Sequence, residues 1–203
     1  MSSCDPSIFC PPTLEGAVVR SVYAQLVTSY SRRVTPVNYP NNDGLLVDNI
    51  SFCNVTVSYT HPKKDDFVSV ESWLPADNWN GRLQVAGGSG LGPGRFNMTW
   101  LDLSPKATPQ AVRTLVLRTL WIPTPTIAKS VIGDFYGRPT AYSCFNGCSQ
   151  GGRQSFELTQ KHPTAFDGIA ASAPAIHWAQ WALAMFWPQM LMNVMGEYPH
   201  GCE

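Results

Sequence analysis

The sequence predicts an α/β domain built on a parallel sheet. From residue 82 onward, short apolar runs alternate with amphipathic ones, the pattern of strands joined by crossover helices. The pentapeptide Gly147-Cys148-Ser149-Gln150-Gly151 falls between one such apolar run and the amphipathic stretch that follows. A small-residue run at 168–173 then suits a tight central strand. The chain has 203 residues, enough for one domain with a sizeable core.

Before residue 82 the pattern differs. Residues 1–45 contain one helix candidate, which Pro11-Pro12-Thr13-Leu14-Glu15 opens and to which Val18, Val19, Val22 and Leu26 give an apolar face. Residues 35–44 are rich in Pro and Asn and read as loop. Phe52-Cys53-Asn54-Val55-Thr56-Val57-Ser58-Tyr59 puts β-branched and aromatic residues at every second position, which predicts a strand. Phe67-Val68-Ser69-Val70-Glu71-Ser72-Trp73-Leu74 predicts a second, with Pro75 as its stop, and Pro62 with paired charges makes residues 60–66 a hairpin connection. Residues 1–75 thus form an amino-terminal helix and β-hairpin region.

Leu83-Gln84-Val85-Ala86 reads as a buried strand feeding the glycine loop Gly87-Gly88-Ser89-Gly90. Residues 109–121 are compatible with a helix. Residues 127–136 predict a better one, with Ile127, Val131, Ile132 and Phe135 on one face and Gly137 as the stop. Residues 141–145 predict a short strand and 151–162 a helix, with Pro163 just beyond its end. Residues 176–195 carry three tryptophans and four methionines, helical in part and interrupted at Pro188. Packing, against the core or against further parts of the protein, is the favoured reading of these residues; lining an aromatic pocket is the other.

Charge narrows the class. Fourteen Lys and Arg balance fourteen Asp and Glu, with no basic stripe, so a nucleic-acid partner is not expected. No apolar run approaches 18 residues, so no membrane span is expected. The six cysteines lack zinc-type pair spacing. Three glycosylation sequons start at Asn49, Asn54 and Asn97. Together these predict a secreted protein, although the first residues lack the basic and apolar regions of a signal peptide. Among the cysteines, Cys10 and Cys53 are the expected bridge, the first preceding a helix and the second sitting in a strand.

The pentapeptide matches G-x-S-x-G in the strand–turn–helix setting of a nucleophile elbow. Ser149 on such a strained turn needs small neighbours two residues either side, which Gly147 and Gly151 supply. The backbone N–H of Gln150 is then one oxyanion donor, and Gly88 of the upstream glycine loop is the natural second. The rival reading makes Ser149 a helix cap and the glycine loop a plain turn. Cys148 is either a buried structural thiol or half of a disulfide tying the elbow to another segment, and a secreted chain favours the disulfide.

Asn146-Gly147-Cys148-Ser149-Gln150-Gly151-Gly152-Arg153-Gln154 resembles the signature of the tannase and feruloyl esterase family. Thr60-His61-Pro62, Trp73-Leu74-Pro75, Trp79-Asn80-Gly81-Arg82, Phe135-Tyr136-Gly137, Phe166-Asp167-Gly168-Ile169 and Ser172-Ala173-Pro174-Ala175 are similar to other family segments, as is the terminal Glu197-Tyr198-Pro199-His200-Gly201-Cys202-Glu203. The resemblance implies an α/β-hydrolase core with a large inserted lid that binds calcium. It implies a Ser149 nucleophile forming an acyl-enzyme on aromatic esters of feruloyl or galloyl type, and a disulfide from Cys148 to a downstream Cys. It places the start of the lid just after residue 203. The lid with its calcium, the triad acid and base, and the partner of Cys148 are therefore expected outside these residues, and no metal site is expected within them. Asp167, His162, His177 and His200 match no family position for acid or base. Cys4 and Cys202 are expected to lose their partners with those regions. Family members also carry a helix and an apolar strand where residues 94–104 have neither, so one core strand is expected to be deleted, exposing a sheet edge. On this reading the chain is an incomplete α/β-hydrolase core, inactive alone, with its own carboxyl-terminal half as a possible partner beside the ester substrate. The alternative is a non-catalytic fragment or pseudoenzyme that retains a binding surface.

Overall fold

A computed structural model describes residues 3–34, 45–88, 111–115 and 123–199. Seven strands form one sheet in the order β1-β2-β3-β5-β4-β6-β7. They are β1 (Val18–Val34), β2 (Leu45–Thr60), β3 (Val68–Pro75), β4 (Arg82–Ala86), β5 (Ala111–Leu115), β6 (Tyr142–Cys148) and β7 (Gly168–Ser172). Among the described residues three α-helices accompany them, α1 (Pro123–Tyr136), α2 (Gln150–Lys161) and α3 (Trp178–Met195), besides a 3-10 turn at Pro6–Ile8. Strands β1, β2, β3 and β5 pair antiparallel in succession, whereas β5, β4, β6 and β7 are parallel neighbours. The expected parallel sheet is therefore half of a mixed one.

The predicted helix over Val18, Val19, Val22 and Leu26 is instead the 17-residue strand β1. Register shifts between Val19 and Ser21, and between Val27 and Tyr30, interrupt its pairing with β2. The less exposed positions of the strand fall at 19, 22, 24, 27, 30 and 32. Steps of three and two imitate a helical period, and the β-branched content of the run is the signal that favours a strand. Leu26, assigned to the apolar face, is 53% exposed.

The sheet position expected to be left vacant is filled. Ala111–Leu115 pairs parallel with β4 and antiparallel with β3, on the side of β4 away from β6. This segment lies within the possible helix at 109–121. The sheet thus continues through the place expected to be an open edge. Residues 94–104, where the deletion was inferred, lie outside the described residues.

The core lies between the sheet and α1. Val55, Val57, Tyr59, Val70, Leu83, Val85 and Phe145 of the strands join Ile127, Ala128, Val131, Ile132 and Phe135 of α1. Phe9 stacks on Phe135 with ring centroids 6.3 Å apart, which fixes the amino terminus against this layer. Gly137 ends α1 at φ +65, in the left-handed region, its N–H bonded to Gly133 O.

The expected Cys10–Cys53 bridge is not formed. Cys53 pairs with Cys4 across a Cα separation of 5.5 Å, and Cys10 is exposed and free. The cause is local. The Cys10 backbone N–H donates to Asp134 of α1, so this segment is anchored to the helix, and the six residues before it bring Cys4 to β2.

Helix α3 runs through Pro188, where an interruption was expected, and none of its residues is buried. Its tryptophans and methionines therefore form no core among the described residues, and Trp187, Phe186 and Met195 are more than half exposed. Strand β7, expected to be central, pairs with β6 alone among the described strands.

Candidate active site

Residues 142–148 form β6, residues 150–161 form α2, and Ser149 is the single residue between them. Its backbone stands at φ 60, ψ −113, a conformation costly for a residue with a Cβ. The turn is held on three sides. Ser149 N–H donates to Ser172 O, while Ser149 O accepts from Arg153 N–H and Ala175 N–H. Its side chain makes no capping hydrogen bond to α2, so the helix-cap reading fails, and among the described residues the hydroxyl has no hydrogen-bond partner.

Glycines let the elements meet closely enough to build this turn. A Cβ at Gly147 would lie 2.2 Å from Gly151 O, and one at Gly152 would lie 2.3 Å from Ser172 O. Both obstacles are backbone, so no side-chain rotation relieves them. Gly147→Ala is expected to destabilise by more than about 3 kcal/mol, the upper end of overpacking costs, read as a lowered urea midpoint. Gly133→Ala is the control. A Cβ there meets nothing within 4 Å, in a helix interior, and is expected to stabilise by about 0.5–1 kcal/mol.

The two oxyanion candidates fare differently. The N–H of Gln150 opens α2, where the helix dipole adds positive potential, and it has no partner among the described residues. The N–H of Gly88 is taken, because it donates to Gln154 Oε1 at 2.8 Å. Gly88 O in turn accepts from Gly151 N–H at 2.9 Å. Gly88 is thus bound at both ends to α2 and is not a free donor. The expectation missed this because a loop's backbone partners are not written in its own residues. The signal was one helical turn beyond the serine, in Gln154.

The histidines do not assemble around Ser149. His162 caps the far end of α2, about 20 Å along the axis from Ser149. His177 occupies a left-handed position before α3, and His200 lies outside the described residues. Asp167 accepts hydrogen bonds from Ser143 Oγ and Ser143 N–H, both at 2.7 Å, which hold its carboxyl below the ordinary value. Those bonds fasten the first residues of β7 to β6, at the end of the sheet away from Ser149.

One titratable pair was not anticipated. His61 Nδ1 bonds Asp66 Oδ2 in the β2–β3 connection. The His61 N–H, the His61 ring and the Thr60 hydroxyl together lower the Asp66 pKa from 3.8 to about 2. The stabilisation from a depressed carboxylate is complete above the unfolded value and disappears as pH falls through the folded one. Between pH 4 and 2 the stability of Asp66→Asn is therefore expected to fall less steeply than that of the natural protein, as urea midpoints across that range will read. The pair lies four strand positions from β6, about 19 Å across the sheet, too far to serve Ser149.

Cys148 and Cys144 are free and half-buried. Of the sequons, Asn49 is exposed, Asn54 is half-buried within β2 with its Oδ1 buried, and Asn97 lies outside the described residues, as does Cys202. No group of three or more His, Cys, Asp or Glu among the described residues is placed to hold a metal ion, so the calcium implied by the resemblance has no fitting site there. Among the same residues no helix is long and apolar enough to cross a membrane.

Residues 109–198 match the family model described as tannase and feruloyl esterase. A probable feruloyl esterase of Arthroderma benhamiae is 31% identical over 95% of this chain and 40% of its own length. A tannase of Aspergillus oryzae is 27% identical over 75% of this chain and 31% of its own. Among solved structures, tannin acyl hydrolase from Aspergillus niger superposes with a TM-score of 0.73 at 22% identity, covering 97% of this chain and 41% of that one. Feruloyl esterase B from Aspergillus oryzae gives 0.56 at 23% identity, over 80% and 36%. The structural likenesses carry the α/β-hydrolase type of fold. The chain spans well under half the length of these relatives.

Proposed function

Since the chain belongs to the tannase and feruloyl esterase family, we propose that it is part of a carboxylic ester hydrolase whose nucleophile is Ser149. The observation that carries the proposal is the Ser149 backbone, held at positive φ between a strand and a helix with its hydroxyl making no capping bond to that helix. The hydroxyl attacks the ester carbonyl, and a tetrahedral oxyanion forms. The N–H of Gln150 and the α2 dipole stabilise its charge. Collapse of this intermediate expels the alcohol and leaves an acyl-serine, which water hydrolyses to free acid and Ser149. A general base is required at both additions. No histidine among the described residues bonds to Ser149, so the base is assigned to residues outside them.

The substrate class is aromatic esters of feruloyl or galloyl type, by analogy with the names of the relatives. The exposed aromatic and Met side chains of α3 are suited to contacting such an acyl group. Secretion fits the Cys4–Cys53 bridge, which persists in an oxidising compartment, and the exposed sequon at Asn49. Cys148, half-buried beside the nucleophile, is available for the disulfide to a downstream Cys. The test assays the protein as its host produces it against methyl ferulate, methyl gallate and an aliphatic ester. A fluorophosphonate label is mapped in parallel by peptide sequencing. Aromatic ester turnover with the label on Ser149 supports the reading. Labelling elsewhere, or no turnover, refutes it.

A second reading, a non-catalytic binding form, draws on the absence of a base bonded to Ser149 among the described residues. It predicts that the aromatic acids bind without any turnover of their esters.

A further inference from the structure

We infer that Gln154 is a positioning residue for the oxyanion side of this site, holding the Gly87–Gly88 turn against the amino end of α2. The inference rests on the hydrolase reading above. Gly87 and Gly88 are both buried, and a buried N–H must find an acceptor. For Gly88 that acceptor is a side chain 66 residues away in sequence, Gln154 Oε1 at 2.8 Å. Because the facing group is an N–H donor, the oxygen of the carboxamide must face it. Gly88 O meanwhile accepts from Gly151 N–H, and Gly87 N–H donates to Asn146 O at 2.8 Å. The turn is thus fixed by three bonds, and Gln154 supplies the one that is not backbone.

Packing shows how exact the fit is. A Cβ on Gly87 would sit 2.8 Å from Gln154 Oε1 and 2.6 Å from Gly151 Cα. Gln154 is 2% exposed, so water does not replace its oxygen freely. Its Nε2 is buried with no partner among the described residues. A buried amide with one unpaired end is expensive to retain for packing alone. A leucine of similar size would avoid that cost, which favours a role for the oxygen. Gln154 also lies one turn after Gln150, on the same face of α2. Its clamp, with the Gly151 N–H bond to Gly88 O, therefore braces the amino end of α2 that carries the Gln150 N–H, and oxyanion stabilisation tolerates errors of only about 0.5 Å in that donor.

The test compares Gln154→Leu and Gln154→Glu with the natural protein, with kcat expressed per Ser149 titrated by a phosphonate. Gln154→Leu is expected to lower kcat on the order of 10–10²-fold, with KM within about twofold, because ground-state binding does not use the clamp. Gln154→Glu keeps an oxygen for the Gly88 N–H and is expected to recover part of the loss. The ³¹P resonance of the phosphonylated serine reports the donors around the oxyanion. It is expected to move in Gln154→Leu, which a general loss of stability would not cause once the signal is confined to titrated, folded protein. Gln154→Met, unbranched and without an acceptor oxygen, repeats the test if the leucine variant does not fold. Unchanged kcat and an unchanged resonance in a folded Leu or Met variant would overturn the inference while leaving Ser149-dependent turnover intact. Loss of Ser149 dependence in the natural protein itself would instead overturn the hydrolase reading, and the clamp with it.

Discussion

Replacing Ser149 with alanine in the protein as its host produces it is expected to lower kcat on aromatic esters by about 10⁶-fold. The magnitude follows from how serine hydrolases behave when the nucleophile is removed, since oxyanion stabilisation and binding alone leave about 10³–10⁴ over water. The KM is expected to change little, because the alanine removes a hydroxyl that has no hydrogen-bond partner among the described residues. Helix α2 is expected to retain its stability, since Ser149 makes no capping bond that the substitution would break. Steady-state assays on methyl ferulate and methyl gallate, paired with urea midpoints, check both halves. A loss of activity accompanied by unfolding would show that the serine was structural after all. The 203 residues by themselves are expected to work at the residual level, because no histidine among the described residues bonds to Ser149 and a serine hydroxyl without a base stays protonated near pH 7. Robust turnover by them, abolished in Ser149→Ala, would place a histidine base within the chain.

Cys4→Ser is expected to destabilise by about 4 kcal/mol in the chain-entropy account, since the bridge closes a loop with a sequence separation of 49. Cys10→Ser is expected to fall within about 0.5 kcal/mol of the natural protein, because its thiol is exposed and its one anchoring bond uses the backbone. The pair discriminates directly between the two possible partners of Cys53. Denaturant midpoints under oxidising conditions measure it, and in reducing buffer the difference between the variants should vanish.

Much of the site was legible because its geometry is encoded locally. The elbow needs a strand, a serine and a helix in succession, with glycines where backbones collide, and residues 142–161 spell that out. The hairpin of β2 and β3 was legible for the same reason, as alternation with a short polar connection. Failures came where the outcome depends on a distant partner. The bulges in β1 disguise its period, and they exist only because β2 lies alongside. Strand β5 is a short, unremarkable run whose place between β3 and β4 is set by the sheet. Cys4, expected to have its partner outside these residues, is the one that reaches Cys53, while Asp134 of α1 holds the Cys10 backbone. Gly88 was misassigned because its acceptor lies in another element.

The bridge between Cys4 and Cys53 also has a topological consequence. Strand β1 lies wholly inside the covalent ring it closes, and β1 is the strand at the end of the sheet. An end strand is the element most readily exchanged between two copies of a protein, because its outer backbone groups are unpaired. Exchange requires one end of the strand to swing away on a hinge. Here the bridge ties the residues before β1 to β2, and the chain after β1 leads into the same β2, so neither end of β1 is free to swing away while the bridge holds. Oxidation therefore commits β1 to its own chain, and reduction restores the freedom to trade it.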